Sequence, residues 1–271
     1  MNIKLVAGVI IVIVVIAVGY WYFTLPAPPL EEFKVCVAFD VGGRGDKSFC
    51  DMAYFGAEQA KDDFSDELNI TITTITPLSL AEMEDVLRTL STGAEYDLII
   101  CVGFLWTDAL NATCDDFPNQ LYAGLDIFLP DKDNVLGVVY KEEQGCALVG
   151  ALAALVTESG DVGMVLGMDV PLLWKFEIGY KFGVDYVRNE TGKSINVTWD
   201  YTGYFDRPDL GRESAITMLD AGVDVIFQAA GETGLGTIDA VGERGAVGEL
   251  PLGIGVDANQ DWIYPGKFIA S

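Results

Sequence analysis

Residues 34–51, KVCVAFDVGGRGDKSFCD, run from an apolar stretch to a carboxylate at Asp40, then through a glycine-rich turn to an aromatic ring, Phe49. A helix is expected to begin at that ring. In an open α/β sheet, ligands bind outside the carboxyl ends of the strands. A strand that ends in Asp40 and leads to Phe49 therefore predicts a site that holds a small polar ring compound. It does not predict a catalytic site.

The same alternation of strand and helix continues along the chain. Residues 79–91 form a helical pattern whose apolar residues fall on one face. The runs expected to be strands are residues 34–40, 69–76, 96–102, 135–140, 162–168, 195–201, 224–230 and 252–257. Alternating β and α elements predict an α/β fold of parallel sheets flanked by helices.

The chain is expected to form two lobes with a cleft between them. Ser159-Gly160-Asp161 interrupts it in the middle, which separates lobe 1 (34–157) from lobe 2 (158–253). Residues 254–271 are expected to cross back toward lobe 1. No terminating helix follows that crossing, so we expect lobe 1 to be incomplete and the chain to be truncated at Ser271.

The N-terminal segment, residues 1–23, predicts a transmembrane anchor. Its apolar stretch from Ile3 to Phe23 would span about 31 Å as a helix, enough to cross a bilayer core. A cleaved signal peptide is the alternative, because Ala17-Val18-Gly19 is a small-x-small site. Residues 24–33 form a Pro-rich linker. Either reading places the body on the extracytoplasmic side of the cell membrane.

Composition excludes several classes of function. The chain has 41 acidic and 16 basic residues, a net charge of −25, and this field disfavours nucleic acids and free nucleotides as partners. It contains no histidine, which removes the commonest general base and the commonest metal ligand. We therefore expect no enzyme, no catalytic residue, no metal site and no cofactor.

Two aromatic residues are candidates for ligand contact. Phe49 lies at a helix start, where packing in a core is the competing interpretation. Phe205 lies in a loop after a strand and belongs to no apolar periodicity, which favours contact with a ligand. Phe176, by contrast, shares a helical face with Leu173 and Tyr180, and that periodicity predicts core packing.

Three further positions carry polar chemistry. Asp257 ends the run Leu-Gly-Ile-Gly-Val-Asp and so repeats the strand-then-carboxylate pattern of Asp40, although such a residue is often only a helix cap. Asp126 interrupts the apolar residues 121–129, which is costly unless the carboxylate is paired or faces a ligand. Gly231 follows a strand and opens a helix, so backbone N–H groups can approach a ligand there.

Five separated segments in the same order resemble the basic membrane protein family, the PnrA-like nucleoside-binding proteins of ABC transporters. The segments are FDVGGRGDKSFCD, VGMVLGMDVPLLWKFEIGYKFG, the D-x-x-x-G-R-E-like stretch around Gly211, DVIFQAAGETGLGTIDA and IGVDANQD. The family is similar to periplasmic binding proteins of type I. The resemblance implies two α/β lobes that close on a nucleoside, most often a purine nucleoside.

The resemblance also implies roles for particular residues. Phe49 and Phe205 would stack on the two faces of the base, Asp40 and Asp126 would bond its edge, and Asp257 with backbone near Gly231 would bind the ribose. The family usually has Asn after the stacking Phe, where this chain has Cys50. A ribose-binding Lys of the family would lie beyond Ser271.

These features together predict an extracytoplasmic substrate-binding protein that delivers a nucleoside to an ABC permease and its ATPase. Two alternatives of binding type stay open: a ligand-sensing receptor domain, and a binding protein for another small neutral sugar-like ligand. A third, hydrolysis of a glycosidic bond by paired carboxylates, lacks a nucleophile–base pair.

Overall fold

A computed structural model describes residues 29–271 of the chain. The predicted anchor or signal segment (1–23) and residues 24–28 of the expected linker lie outside the described residues. Within residues 29–271, no helix combines the length and the apolar character needed to span a bilayer.

Nine strands and seven helices alternate along the described residues. The strands are β1 (Glu31–Ala38), β2 (Leu68–Ile75), β3 (Leu98–Val102), β4 (Leu121–Leu125), β5 (Val135–Val138), β6 (Asp161–Leu166), β7 (Asn196–Tyr201), β8 (Val225–Ala229) and β9 (Leu252–Ile254). The helices are α1 (Phe49–Asp63), α2 (Met83–Gly93), α3 (Thr107–Thr113), α4 (Glu142–Val156), α5 (Pro171–Thr191), α6 (Pro208–Asp220) and α7 (Thr233–Gly242).

The strands form two sheets in which every pairing is parallel. The first sheet has the order β2-β1-β3-β4-β5, and the second has the order β7-β6-β8-β9. In both sheets the strand order reverses direction once, between β1 and β3 and between β6 and β8. Ligands of open α/β sheets bind at such points, outside the carboxyl ends of the strands. The predicted α/β class with parallel sheets flanked by helices is confirmed.

Each sheet buries apolar side chains on both faces, as parallel sheets require. On the first sheet, one cluster includes Leu87 and Trp106 and the other includes Val37 and Phe39. On the second sheet, one cluster is centred on α5 and the other lies under α6 and α7. The second sheet therefore has a hydrophobic core separate from that of the first sheet.

The sequence placed the start of the first strand too late and missed one strand. β1 begins at Glu31, so residues 31–33 of the expected linker belong to the first sheet. β4 was not predicted, because residues 121–129 read as one apolar run. The strand ends at Leu125, and Asp126 follows it directly. The division into lobes 34–157 and 158–253 stays a prediction.

The five cysteines are free and buried. Cys114 and Cys146 are not joined by a disulfide. Cys36 and Cys101 lie in the core of the first sheet, where a buried thiol packs as a small apolar group.

Candidate functional site

The seven residues singled out in the sequence line one cavity between the two sheets. Asp40, Phe49, Cys50 and Asp126 come from the first sheet and its loops. Phe205 and Gly231 follow strands of the second sheet, and Asp257 lies on the segment that returns from it. The empty space of the cavity, with its solvent-filled mouth included, is about 640 Å³.

The cavity lies at the strand ends because each lining loop leaves the carboxyl end of a strand. Asp40 follows β1, Gly103 follows β3 and Asp126 follows β4. The backbone N–H of Gly103 donates to the carbonyl of Leu125 at 3.1 Å, which fixes the loop after β3 against the end of β4. The place where strand order reverses in the first sheet therefore borders the same cavity as the corresponding place in the second sheet.

Phe49 is held at the start of α1 by a buried carboxylate. Asp46 accepts hydrogen bonds from the backbone N–H groups of Ser48 at 3.0 Å, Cys50 at 2.9 Å and Asp51 at 3.1 Å. The first N–H groups of a helix have no partner within the helix, so this carboxylate fixes where α1 begins. Phe49 is half-buried, with its ring toward the cavity and toward Gly103.

Phe205 lines the cavity from the second sheet, in the loop after β7. Its carbonyl accepts a hydrogen bond from the N–H of Thr233 at 3.0 Å, which ties this loop to the start of α7. The ring packs against Gly167, where a Cβ would come within 2.2 Å of it. A ring from the first sheet, Phe104, meets the Phe205 ring edge-on at 6.0 Å between centroids. Gly167 is thus the reason that the Phe205 ring can lie in this position.

Phe104 and Phe176 are cavity residues that sequence reasoning did not assign to the site. Phe104 lies two residues after the end of β3, but without β4 no local pattern placed that loop beside the cleft. Phe176 was predicted to be core. It does pack against the core of the second sheet, with Leu173 and Tyr180 buried beside it, and it also lines the cavity.

The carboxylates of the cavity are held away from water. Desolvation is the largest cause that raises the pKa of Asp40 to about 6, of Asp126 to about 7 and of Asp257 to about 6. Neighbouring carboxylates raise these values further. Asp257 is exposed toward the cleft, yet protein surrounds it, so surface exposure and desolvation coexist there.

Asp126 and Asp257 also share a strained backbone. Their φ angles are +60° and +62°, in the left-handed region that residues other than glycine seldom adopt. Such strain is held in place by surrounding structure and clusters at ligand sites. The N–H of Asp126 donates to the carbonyl of Val138 at 2.8 Å, which holds the turn that aims this side chain at the cavity.

Two buried carboxylate oxygens lack a hydrogen-bond partner among the described residues: Oδ1 of Asp126 and Oε1 of Glu142. The second oxygen of Glu142 bonds to Nζ of Lys175 at 2.9 Å, and the Glu142 side chain is only 7% exposed. Glu142 raises the pKa of Asp126 through charge repulsion. A buried acceptor without a partner is costly, and of the two only Asp126 lines the cavity, where a donor from a ligand could reach its oxygen.

Cys50 supplies a neutral donor at this wall. Its Sγ donates to Oδ1 of Asp40 at 3.7 Å, and the N–H of Gly42 donates to the same oxygen at 3.0 Å. Burial and the nearby charges of Asp40 and Asp46 raise the pKa of the Cys50 thiol. The thiol therefore stays protonated and is a poor nucleophile.

One hydrogen bond joins the loop before α1 to the segment after β9. Ser48 Oγ donates to Oδ2 of Asp257 at 2.8 Å and lies 3.2 Å from the carbonyl of Val256. Close by, Nε2 of Gln260 donates to the carbonyl of Lys47 at 3.1 Å. The cavity is therefore bounded on this side by direct contacts between the loop that leaves β1 and the segment that leaves β9.

Within residues 29–271, no group of three or more His, Cys, Asp or Glu side chains is arranged to hold a metal ion. No Lys or Arg of these residues lines the cavity, whereas Asp46 and Glu232 add two carboxylates to the three described above. The candidate site is therefore lined by four phenylalanine rings and five carboxylates. Such a site suits a flat, uncharged or cationic ligand that carries donors.

A fold of two parallel sheets with a ligand-sized cavity at their strand ends defines a solute-binding protein. A family model described as ABC transporter substrate-binding protein PnrA-like matches residues 33–271, and the chain belongs to this family. The resemblance stated from the sequence is confirmed.

Relatives with curated sequences support the assignment. An uncharacterized lipoprotein of Pyrococcus abyssi is 41% identical over 88% of this chain and 59% of its own length. Basic membrane protein B of Borreliella burgdorferi is 30% identical over 89% of this chain and 69% of its own length. The chain thus spans about 59% of the length of the Pyrococcus relative.

Among solved structures, an ABC transporter solute-binding protein of Aeropyrum pernix K1 is 41% identical to this chain with a TM-score of 0.82. That similarity covers 88% of this chain and 66% of the other. A periplasmic ribose ABC transporter protein of Conexibacter woesei has a TM-score of 0.60 at 19% identity, which shows a shared fold only.

The raised pKa of Asp126 predicts a dependence of stability on pH. Between its ordinary value of 3.8 and about 7, the folded carboxyl keeps a proton that the unfolded chain has lost, so this group destabilises the fold as pH rises. We expect Asp126→Asn to become more stable, relative to the natural chain, by about 2 kcal/mol between pH 5 and pH 8. Urea unfolding at both pH values measures the difference.

The control for this prediction is Asp66→Asn, which changes a carboxyl that is exposed after α1. It should leave the pH dependence of the free energy of unfolding unchanged. If Asp126→Asn and Asp66→Asn behave alike, Asp126 is not desolvated as described.

Proposed function

We propose that this chain binds a nucleoside, with a purine base preferred, as the substrate-binding component of an ABC importer. The observation that carries the proposal is one cavity lined by Phe49 after the first strand of one sheet, by Phe205 from a loop of the other sheet, and by five carboxylates. A flat base fits between two rings, and hydroxyl and N–H groups fit the acceptors.

Stacking would supply affinity without demanding one particular base. Contacts between a base and an aromatic ring are worth about 1–3 kcal/mol each. The Phe205 ring is supported from behind by Gly167 and at its edge by Phe104, so it is already oriented before a ligand arrives. A ring ordered in advance lowers the entropy cost of binding.

Recognition of the base edge would fall to Asp40 and Asp126. A carboxyl with a pKa of about 7 can accept a hydrogen bond when ionised or donate one when protonated. Asp126 can therefore bond either an N–H group or an unprotonated ring nitrogen. The thiol of Cys50 keeps one oxygen of Asp40 occupied and so limits the directions from which a base can approach.

Recognition of the ribose would fall to Asp257 and to backbone near Gly231. Gly231 has a φ of +56° and leads into α7, so its loop brings backbone groups close to the cavity. Ser48 already bonds one oxygen of Asp257, which orients the carboxylate for a second hydroxyl partner.

Charge would separate nucleosides from nucleotides. The cavity carries five carboxylates, and none of the described residues lining it is a Lys or an Arg. A phosphate brought to this site would meet only like charge, and juxtaposed like charges cost several kcal/mol. We therefore propose the free nucleoside, not a nucleotide, as the ligand.

The surrounding system is proposed from the family and from the N-terminal sequence. Relatives in Pyrococcus carry the name lipoprotein, which implies that they are held at a membrane. This chain has no Cys before Cys36 that could take a lipid next to its apolar segment. We propose that residues 1–23 anchor the body outside the membrane, where it delivers its ligand to a permease and an ATPase.

Calorimetric titration with adenosine, guanosine, inosine, uridine, ribose and AMP tests the proposal. At least one purine nucleoside should bind with 1:1 stoichiometry, and AMP should bind at least about 100-fold more weakly than adenosine because of the carboxylates. Chromatography should recover the nucleoside unchanged. Binding of ribose alone would favour a sugar-binding protein, and release of free base would make the chain an enzyme.

Phe205→Ala should raise the nucleoside Kd by about 10- to 100-fold, since one stacking face is lost. The melting temperature should change little, because the ring is half-buried at the rim of its core. Phe64→Ala, at an exposed ring after α1, is the matched control and should change neither quantity. An equal loss of affinity and stability in Phe205→Ala would identify the ring as a core residue.

Asp257→Asn should weaken the binding of a ribonucleoside by about 10-fold or more, because a charged acceptor for its hydroxyls is lost. The 2′,3′-dideoxynucleoside and the free base lack those hydroxyls, so the substitution should leave their Kd values nearly unchanged. Titration of both ligands into both proteins gives the comparison. Equal losses for all ligands would contradict the assignment of Asp257 to the sugar.

A further inference from the structure

An apolar stripe runs along the solvent side of α5. Its four large residues recur at intervals of four and are between 45% and 64% exposed: Trp174, Ile178, Phe182 and Tyr186. The opposite side of the helix is a normal buried face that includes Leu173, Val184 and Val187. A contiguous exposed apolar patch on a folded domain usually marks a surface that binds another molecule.

The stripe continues onto the edge of the second sheet. β7 is the outermost strand, and its Trp199 is 44% exposed. Nζ of Lys181, on α5, lies 3.0 Å from the centre of the Trp199 ring, and the Tyr201 hydroxyl donates to Glu177 at 2.6 Å. The helix stripe and the strand edge are therefore one lateral surface.

The outer edge of β7 offers backbone groups for pairing. The N–H groups of Asn196 and Thr202 point toward β6, where they donate to the carbonyls of Gly160 and Leu166. Because the direction alternates along a strand, the backbone groups of Val197, Trp199 and Tyr201 point outward. An open edge of this kind is a template for another strand.

Local charge makes this surface suitable for a second copy of the same chain. The chain as a whole carries −25, which opposes self-association. Helix α5, however, has three basic and three acidic residues: Lys175, Lys181, Arg188, Glu177, Asp185 and Glu190. Two copies that meet along α5 bring together balanced surfaces, and more distant charges are screened by salt.

We propose that the lateral surface of α5 and β7 is the interface of a two-fold symmetric dimer. Antiparallel packing of α5 on its copy sets Trp174 opposite Tyr186 and Ile178 opposite Phe182, so the stripe is complementary to itself. Antiparallel pairing of β7 with its copy sets Trp199 opposite Trp199. Lys181, near the middle of the α5 stripe, covers Trp199, near the middle of β7. A single two-fold axis can therefore pass through both the helix–helix contact and the strand–strand contact.

Both contacts are needed for an interface of adequate size. The helix stripe is only about 18 Å long. A stable interface buries about 800 Å² on each partner, more than one helix face of this length supplies. The strand edge adds area and backbone hydrogen bonds next to the stripe, and the paired strands extend the second sheet across the axis.

The first test uses the full chain in detergent micelles and measures its mass by analytical ultracentrifugation over a range of concentrations. The natural chain should dimerise. Trp199→Glu sets two carboxylates face to face on the axis and should raise the dimer Kd by at least about 30-fold. Trp262→Glu is a matched control: its ring is 61% exposed and also lies near a lysine, Lys47, at 5.3 Å. This control should leave the dimer Kd unchanged.

The second test addresses the antiparallel register of the helices. Ile178→Glu and Phe182→Lys should each weaken the dimer by at least about 30-fold when studied alone. An equimolar mixture of the two variants should form a heterodimer, because Glu and Lys then face each other across the axis. Leu148→Glu, at an exposed leucine on α4, is the control and should leave the dimer intact.

Three outcomes would overturn the proposal: a monomer at all concentrations, a dimer insensitive to Trp199→Glu and Ile178→Glu, or no recovery in the mixture. An insensitive dimer would mean association through the N-terminal segment or another surface. Nucleoside titration of the same variants keeps this proposal separate from the proposed function, since the cavity lies at the strand ends and not on this edge.

Discussion

Desolvation of carboxylates at strand ends is the constraint on which the site depends. Asp40, Asp126 and Asp257 each follow a strand and are held where water has limited access, and desolvation raises the pKa of each. Such groups cost free energy unless something donates to them. Asp46 is a buried carboxylate whose requirement for donors is met within the protein, since three backbone N–H groups donate to it. Oδ1 of Asp126 has no such donor among the described residues, and under the proposed function a ligand would supply one.

The two parallel sheets explain how distant segments of sequence reach one cavity. Each sheet reverses its strand order once, and loops that diverge at that point leave a crevice at the carboxyl ends of the strands. The crevice of one sheet faces that of the other, so a loop after β3 brings Phe104 against Phe205 after β7. Small residues at Gly103 and Gly167 let carboxylate and ring approach the backbone closely.

Much of this could be predicted from sequence because the signals are local. Asp40, the glycine turn and Phe49 lie within a few residues of one another, and Phe205 stands out locally because it belongs to no apolar periodicity. All seven candidates line the cavity. β4 was missed because its five residues run on into Ile127 without a turn signal, so Asp126 looked like an interruption when it directly follows a strand end. Phe104 and the contact of Ser48 with Asp257 depend on segments far apart in the chain, and no local pattern reports such a contact. Phe176 was assigned to the core because of its helical periodicity. Periodicity identifies the buried face of a helix but not whether a residue at the edge of that face also borders a cavity.

The hydrogen bond from Ser48 to Asp257 has a thermodynamic consequence. It joins the loop after β1 to the segment after β9 across the mouth of the cavity. Because Ser48 bonds only Oδ2, a sugar hydroxyl can bond to the other oxygen of Asp257 while the internal bond stays in place. The carboxylate would then lose its rotational freedom when the chain folds and not when the ligand binds, which lowers the entropy cost of binding.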